Sequence, residues 1–275
     1  MIEVFFQYEF LRYSLFTGLM IGILAPAIGV FLVVRRLSLM ADALSHITLT
    51  GIAFSLLLGR TIPFFAALNP VYMGMLFSVV GSLAVDRLGH VYRYYKELAI
   101  PIILSSGIGI GVVFISLADG FNNDLFNYLF GSVIAVSQAD FYLVLALLFA
   151  VSLFIILFYK ELLFLSFDEE QAIVSGLPRS FLHLSFMIVT AVVIGVSMQI
   201  VGILLVSALM TLPVAAAMRL ADSFKQMLLY SIVIGEISVL AGMFSAFHLD
   251  LAPGGTIVMT NLLILTIIII FTKSD

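Results

Sequence analysis

The chain has 275 residues, 63% of them hydrophobic and 10% charged, with 12 Lys and Arg against 16 Asp and Glu and no cysteine. Apolar runs of span length recur from Ser14 to Phe271, which excludes a water-soluble globule of this size. The slight acidic excess excludes a nucleic-acid binder, which needs a concentrated basic face, and the missing cysteine excludes disulfides, thiolate metal sites and thiol catalysis.

Residues 1–12 are interrupted by Glu3, Gln7 and Glu9 and lack a small-residue cleavage site, so an interfacial segment is expected there and not a signal peptide. Nine stretches follow that approach the roughly 20 mostly apolar residues needed to cross about 30 Å of hydrocarbon. They are 13–34, 39–58, 69–85, 100–118, 141–159, 182–198, 201–218, 227–247 and 256–272. The sixth and seventh nearly touch, so one of them is short, broken or tightly hairpinned, and the count lies between eight and ten. The expected fold is all-α, a polytopic membrane helix bundle forming a single transmembrane domain over 1–275. No second domain and no internal repeat is visible.

Lysine and arginine set the orientation, because they accumulate in cytoplasmic loops. With the N-terminus outside, Arg35, Arg36, Arg87, Arg93, Lys96, Lys160, Arg179, Arg219, Lys225 and Lys273 all fall on the cytoplasmic side, leaving only Arg12 and Arg60 outside. Nine spans then put the C-terminus in the cytoplasm, and the acidic loops at 119–124 and 248–250 face out. The run Gly107, Gly109, Gly111 reads as close helix packing, because nothing around it forms a strand-turn-helix nucleotide site.

The longest hydrophilic stretch, 160–180, is cytoplasmic in this topology. Ser166 or Asp168 can cap a short helix there, Glu169 and Glu170 suit its first turn, and Gly176 with Pro178 ends it. No Gly-x-x-x-x-Gly-Lys-Ser/Thr, His-Glu-x-x-His or Gly-x-Ser-x-Gly occurs, so the chain carries neither its own phosphate-binding loop nor a protease or esterase signature.

The chemistry concentrates in Asp42 and His46, four residues apart and therefore on one helix face. Arg35 and Arg36 mark the cytoplasmic boundary, and a rise of about 1.5 Å per residue puts His46 near the bilayer midplane with Asp42 one turn below. A carboxylate at that depth costs several kcal/mol unless it is paired or faces water. Carboxylate plus imidazole suits Zn²⁺, Mn²⁺ or Fe²⁺, and two ligands from one helix make an open, weak site from which an ion can leave. Spacing alone leaves two other readings open: a structural hydrogen-bonded pair and a proton relay. Glu236, mid-span, is either an interhelical hydrogen-bonding group or a further point on the ion path. His248 and Asp250 belong to an external loop or to ion entry, and His90 and His183 read as cytoplasmic surface or interface residues.

Several segments in the same order resemble the permease subunit of bacterial zinc/manganese-type ABC importers. They are Val33 through His46 with its Asp-Ala-Leu-Ser-His run, Leu129-Phe130-Gly131-Ser132, Ser166 through Ala172 with Gly176, and Leu251 through Ile257. The resemblance implies that Asp42 and His46 line the metal path. It also implies that Asp168, Glu169, Glu170, Ala172 and Gly176 belong to a coupling helix that docks on a separate ATPase. Ala41 stands where members often carry Gly, which bears on how closely neighbouring helices approach.

The resemblance further implies a bacterial inner-membrane protein with no permanently bound cofactor, taking Zn²⁺ or Mn²⁺ as cargo and drawing on ATP through its partner. The implied partners are a second copy of the chain, a cytoplasmic ABC ATPase dimer, an extracytoplasmic metal-binding protein and membrane lipid. The alternatives are a permease for a metal chelate such as a siderophore, a secondary carrier, and a membrane metalloenzyme with Glu236 as the only candidate for a third ligand.

Overall fold

In hydrocarbon no water satisfies a backbone N–H or C=O, so each apolar stretch must close its own hydrogen bonds as a helix. The computed structural model describes residues 8–92, 94–118, 120, 123–132 and 136–272, without the side chains of 123, 124, 169, 173, 199, 200 and 204. Thirteen α-helices and no strand occur among them. In order they are α1 (Glu9–Val34), α2 (Ser38–Gly59), α3 (Pro63–Ala67), α4 (Pro70–Val91), α5 (Ala99–Leu117), α6 (Asn123–Phe130) and α7 (Gln138–Leu157). Then come α8 (Tyr159–Phe167), α9 (Glu169–Val174), α10 (Arg179–Val201), α11 (Ile203–Met218), α12 (Phe224–Leu249) and α13 (Pro253–Phe271).

Each of the nine expected spans coincides with a helix. Eight are long and apolar enough to cross a membrane by length and composition. The ninth, α11, has 16 residues and reaches about 24 Å. The near-contiguous sixth and seventh stretches are thus a full-length α10 and a short α11. The break between them is Gly202, at φ 84°, where an added Cβ would also stand 2.5 Å from the Leu129 carbonyl. No L side chain meets both conditions comfortably.

At the N-terminus, Glu9 through Arg12 already belong to α1, joined by an i,i+3 ion pair of 3.5 Å, so the first helix starts four residues before the expected span. The rest of the expected interfacial segment, 1–7, lies outside the described residues, as do Arg93, Asp119, Phe121, Asn122 and Lys273.

Helix α2 is wedged between α4 and α5. A Cβ on Gly51 would stand 2.5 Å from the Met73 carbonyl, so that approach exists only because glycine is present, while one on Gly107 would stand 2.8 Å from Ile47 Cδ1 and oblige that side chain to shift. The glycine run in α5 therefore does pack closely, through Gly107 and Gly111, while Gly109 faces open space. Thr50 fixes the register by donating to the Gly107 carbonyl at 2.7 Å. Replacing Gly51 with Val should force α2 and α4 apart at a backbone carbonyl. The expected cost is at or above the ~1–3 kcal/mol typical of overpacking, read as a lowered unfolding temperature of the detergent-purified chain.

Candidate metal-binding groove

The α1–α2 connection is three residues long. Leu37 N–H donates to the Leu32 carbonyl at 2.8 Å across Arg36, which sits in the left-handed region at φ 57°. That is a Schellman closure with Arg in the glycine position, at a cost of about 1–2 kcal/mol. Arg35 anchors the turn. Its guanidinium donates to His183 Nδ1 at 2.7 Å and lies 5.3 Å from the centre of the buried Phe186 ring, both on α10. Because Arg35 donates to Nδ1, the ring proton of a neutral His183 sits on Nε2, which faces Asp86 Oδ1 at 3.3 Å. His90 reaches the same oxygen at 3.9 Å and is largely exposed. His183 is thus an interface residue tying α4, α10 and the α1–α2 turn together.

Asp42 and His46 share a face of α2 roughly opposite Gly51, since nine residues at about 100° each amount to a half-turn beyond two full ones. With α4 and α5 holding the glycine side, the Asp42 face is left open. Both side chains are half-buried and make no hydrogen bond to each other. The one hydrogen-bond contact of the Asp42 side chain among the described residues is Ser207 Oγ on α11 at 3.5 Å, the outer limit of a hydrogen bond. A groove of about 440 Å³ opens there, lined by Ser38, Leu39 and Asp42 of α2 and by Ser207, Thr211 and Ala215 of α11. The Ser38, Ser207 and Thr211 hydroxyls add oxygen donors to the carboxylate. Thr211 donates its own proton to the Ser207 carbonyl at 2.8 Å, which leaves its oxygen lone pairs available. Among the described residues no three His, Asp or Glu side chains already form a metal-holding group.

Glu236 sits elsewhere. It lies against Gly22 of α1, where an added Cβ would come within 2.7 Å of its Oε1. That oxygen is buried without a hydrogen-bond partner, and Glu236 does not line the groove. His248 closes α12 with Nδ1 at 2.8 Å from the Phe244 carbonyl, and Asp250 follows at φ 53°.

The stretch 160–180 forms two helices, α8 and α9, separated at Asp168. Asp168 is the cap, accepting from Gln171 N–H at 2.9 Å, whereas Ser166 donates back to the Leu162 carbonyl. Glu170 is exposed, and the Glu169 side chain lies outside the described residues. Ala172 is fully buried in a small apolar cluster with Leu165 and Leu182, which seats α9 on the start of α10. Gly176, at φ 80°, closes α9 by letting Leu177 N–H reach the Ala172 carbonyl at 3.2 Å. Asp168, Ala172 and Gly176 therefore shape α9, and it touches α10 at Leu182, next to His183.

Apolar helices around a half-open polar groove, with a structured loop at one end and no nucleotide-binding loop, define an integral-membrane transport subunit. The profile of the ABC 3 transport family matches residues 7–272, and the chain belongs to that family. It is 32% identical over 274 residues to the manganese transport system membrane protein MntC of Listeria monocytogenes, covering 100% of this chain and 95% of that protein. It is 35% identical over 268 residues to the manganese import system permease protein ScaB of Streptococcus gordonii, covering 96% and 93%. Among solved structures, PsaBC from Streptococcus pneumoniae in complex with a Fab superposes with a TM-score of 0.86 at 31% identity, over 99% of this chain and 95% of that one. The chain is a multi-pass membrane transport component and not an enzyme.

Proposed function

We propose that the chain is the membrane-spanning permease of an ATP-driven importer that carries a divalent transition metal, foremost Mn²⁺, into the cytoplasm. The observation that carries this reading is the groove at Asp42. It holds the Asp42 carboxylate beside the hydroxyls of Ser38, Ser207 and Thr211, with the His46 imidazole one turn further along α2 and outside the groove lining, in a chain whose full-length relatives are named for manganese. Carboxylate and hydroxyl oxygens favour Mn²⁺ over softer ions, while a single imidazole per chain still admits Zn²⁺ and Fe²⁺. One chain supplies too few ligands to enclose an ion, so a second copy brings its own Asp42 and His46 to the same path. Glu236 stays outside this ligand set, which weighs against the metalloenzyme alternative, and the manganese relatives weigh against the chelate alternative.

A separate cytoplasmic ATPase dimer supplies the energy through α8 and α9, and an extracytoplasmic metal-binding protein delivers the ion. The N-terminus lies outside and the C-terminus in the cytoplasm. A displacement of α9 passes through Ala172 and Leu182 to the start of α10, then from His183 to Arg35 and the turn that launches α2. That is a contiguous route by which nucleotide state biases the groove between two arrangements.

The test is uptake of radiolabelled Mn²⁺ by vesicles containing the chain with and without its cognate ATPase. Uptake that requires both proteins and ATP is the expected result. Equal uptake without the ATPase would mean a secondary carrier. Uptake of a siderophore complex with none of the free ion would mean the chelate class.

A further inference from the structure

A cavity of about 310 Å³ lies at the end of the bundle where α4, α5, α8 and α10 meet, on the side of α2 turned away from the Asp42 groove. Its polar wall carries Arg35, Lys96 and Arg179 together with His90 and His183. Asp86 is the only acidic side chain among its described lining residues, and it is already engaged by His183 at 3.3 Å. The cavity is therefore net positive and unsuited to a metal cation. Its floor is apolar, formed by Leu37, Met40, Val85, Ile100 and Met187. In the chain just before Lys96, Tyr92, Tyr94 and Tyr95 are 39%, 94% and 63% exposed. Exposed tyrosines interleaved with basic residues are what the headgroup layer of a membrane selects.

We propose that this cavity binds the phosphate headgroup of an anionic phospholipid from the cytoplasmic leaflet. The phosphate lies on the Arg35, Lys96 and Arg179 wall, and the glycerol and upper acyl carbons cover the Leu37, Met40 and Met187 floor. A basic pocket between helix ends on the cytoplasmic side has the charge and depth for such a headgroup. A soluble phosphate would use the wall but leave the apolar floor bare, which favours the lipid source. Seated there, the lipid bridges Arg179 at the start of α10 and Arg35 at the turn into α2, and so braces the proposed coupling route. The leaflet assignment rests on the orientation proposed above, whereas the binding does not depend on the metal site.

The experiment is native mass spectrometry of the full-length detergent-purified chain, incubated with phosphatidylglycerol or cardiolipin and, separately, with phosphatidylcholine. Anionic lipid should be retained and phosphatidylcholine should not. Lys96→Gln with Arg179→Gln should lower retention roughly 25-fold, at about fivefold per charge removed. Lys96→Arg with Arg179→Lys should restore it. Arg219→Gln with Lys225→Gln, which removes the same charge outside the cavity, should leave retention unchanged. Equal loss in the two glutamine pairs would reduce the effect to diffuse surface charge and overturn the site. Equal retention of phosphatidylcholine, or displacement of the lipid by millimolar inorganic phosphate or ATP, would overturn the lipid assignment. Mn²⁺ uptake by the wild type is unaffected by any of these outcomes, so this inference fails separately from the transport reading.

Discussion

Asp42→Ala and His46→Ala should each bring Mn²⁺ uptake down by roughly 100-fold or more, to background, while the protein accumulates and unfolds like the wild type. The size follows from symmetry, since a single substitution in the proposed homodimer removes two ligands from one path, and removing even an outer-shell partner costs metal sites 10–100-fold. The unchanged stability follows from the surroundings. Both side chains are half-buried, they do not bond to each other, and Asp42 has only the 3.5 Å approach of Ser207. Truncation therefore leaves no buried partner stranded, and the stability change stays within about 0.5 kcal/mol. Asp42→Asn separates charge from shape, because it keeps an oxygen but not the carboxylate, and uptake should stay far below wild type. A variant that loses uptake together with folding would make the pair structural. Normal uptake in both alanine variants would remove the site from the path.

Gly176→Pro should uncouple the proposed ATPase from the permease. The native φ of 80° is out of reach for proline, which is held near −65°, so the Leu177 to Ala172 closure of α9 cannot form. Gly176→Ala is milder, at about 1 kcal/mol, because an added Cβ meets nothing within 4 Å and the penalty is purely conformational. Transport should track this order, with Gly176→Ala close to wild type and Gly176→Pro reduced at least tenfold. Glu170→Arg tests the same surface by charge, since Glu170 is exposed in the first turn of α9, where a negative charge suits the helix N-terminus. Both variants are read by metal-stimulated ATP hydrolysis in the reconstituted complex alongside uptake. Hydrolysis that still responds normally to metal in Gly176→Pro would show that α9 does not carry the signal.

The two coupling variants also check the link between distant parts of the chain. Ala172 and Leu182 form one apolar contact, and His183 with Arg35 forms one polar contact. His183→Ala should therefore weaken coupling while leaving the Asp42 groove intact, seen as reduced ATP-driven uptake with unchanged metal binding.

How much of this was legible depends on the range of the interaction involved. The nine apolar stretches, the Asp42 and His46 spacing, the capped loop at 160–180 and the close-packing glycines are local signals, because helix periodicity, caps and left-handed turns are set within a few residues. The short α11 was legible only as an ambiguity, since hydropathy does not say which side of Gly202 loses length. Ser207 and Thr211 gave little warning. Single hydroxyls in an apolar helix are common, and only the packing of α11 beside α2 turns these two toward Asp42. Glu236 looked equivalent to Asp42 by depth and charge, yet the tertiary structure puts it in the notch left by Gly22, away from the groove.

The sequence by itself determined that this is a helical membrane protein with Asp42 and His46 on one helix face and a structured loop, because solvation and helix geometry leave an apolar chain no other option. Only the tertiary structure decided which polar groups share a cavity. That choice is made by close approaches between helices far apart in the chain, such as Gly51 against Met73 and Arg35 against His183, and no local pattern encodes which helices will meet.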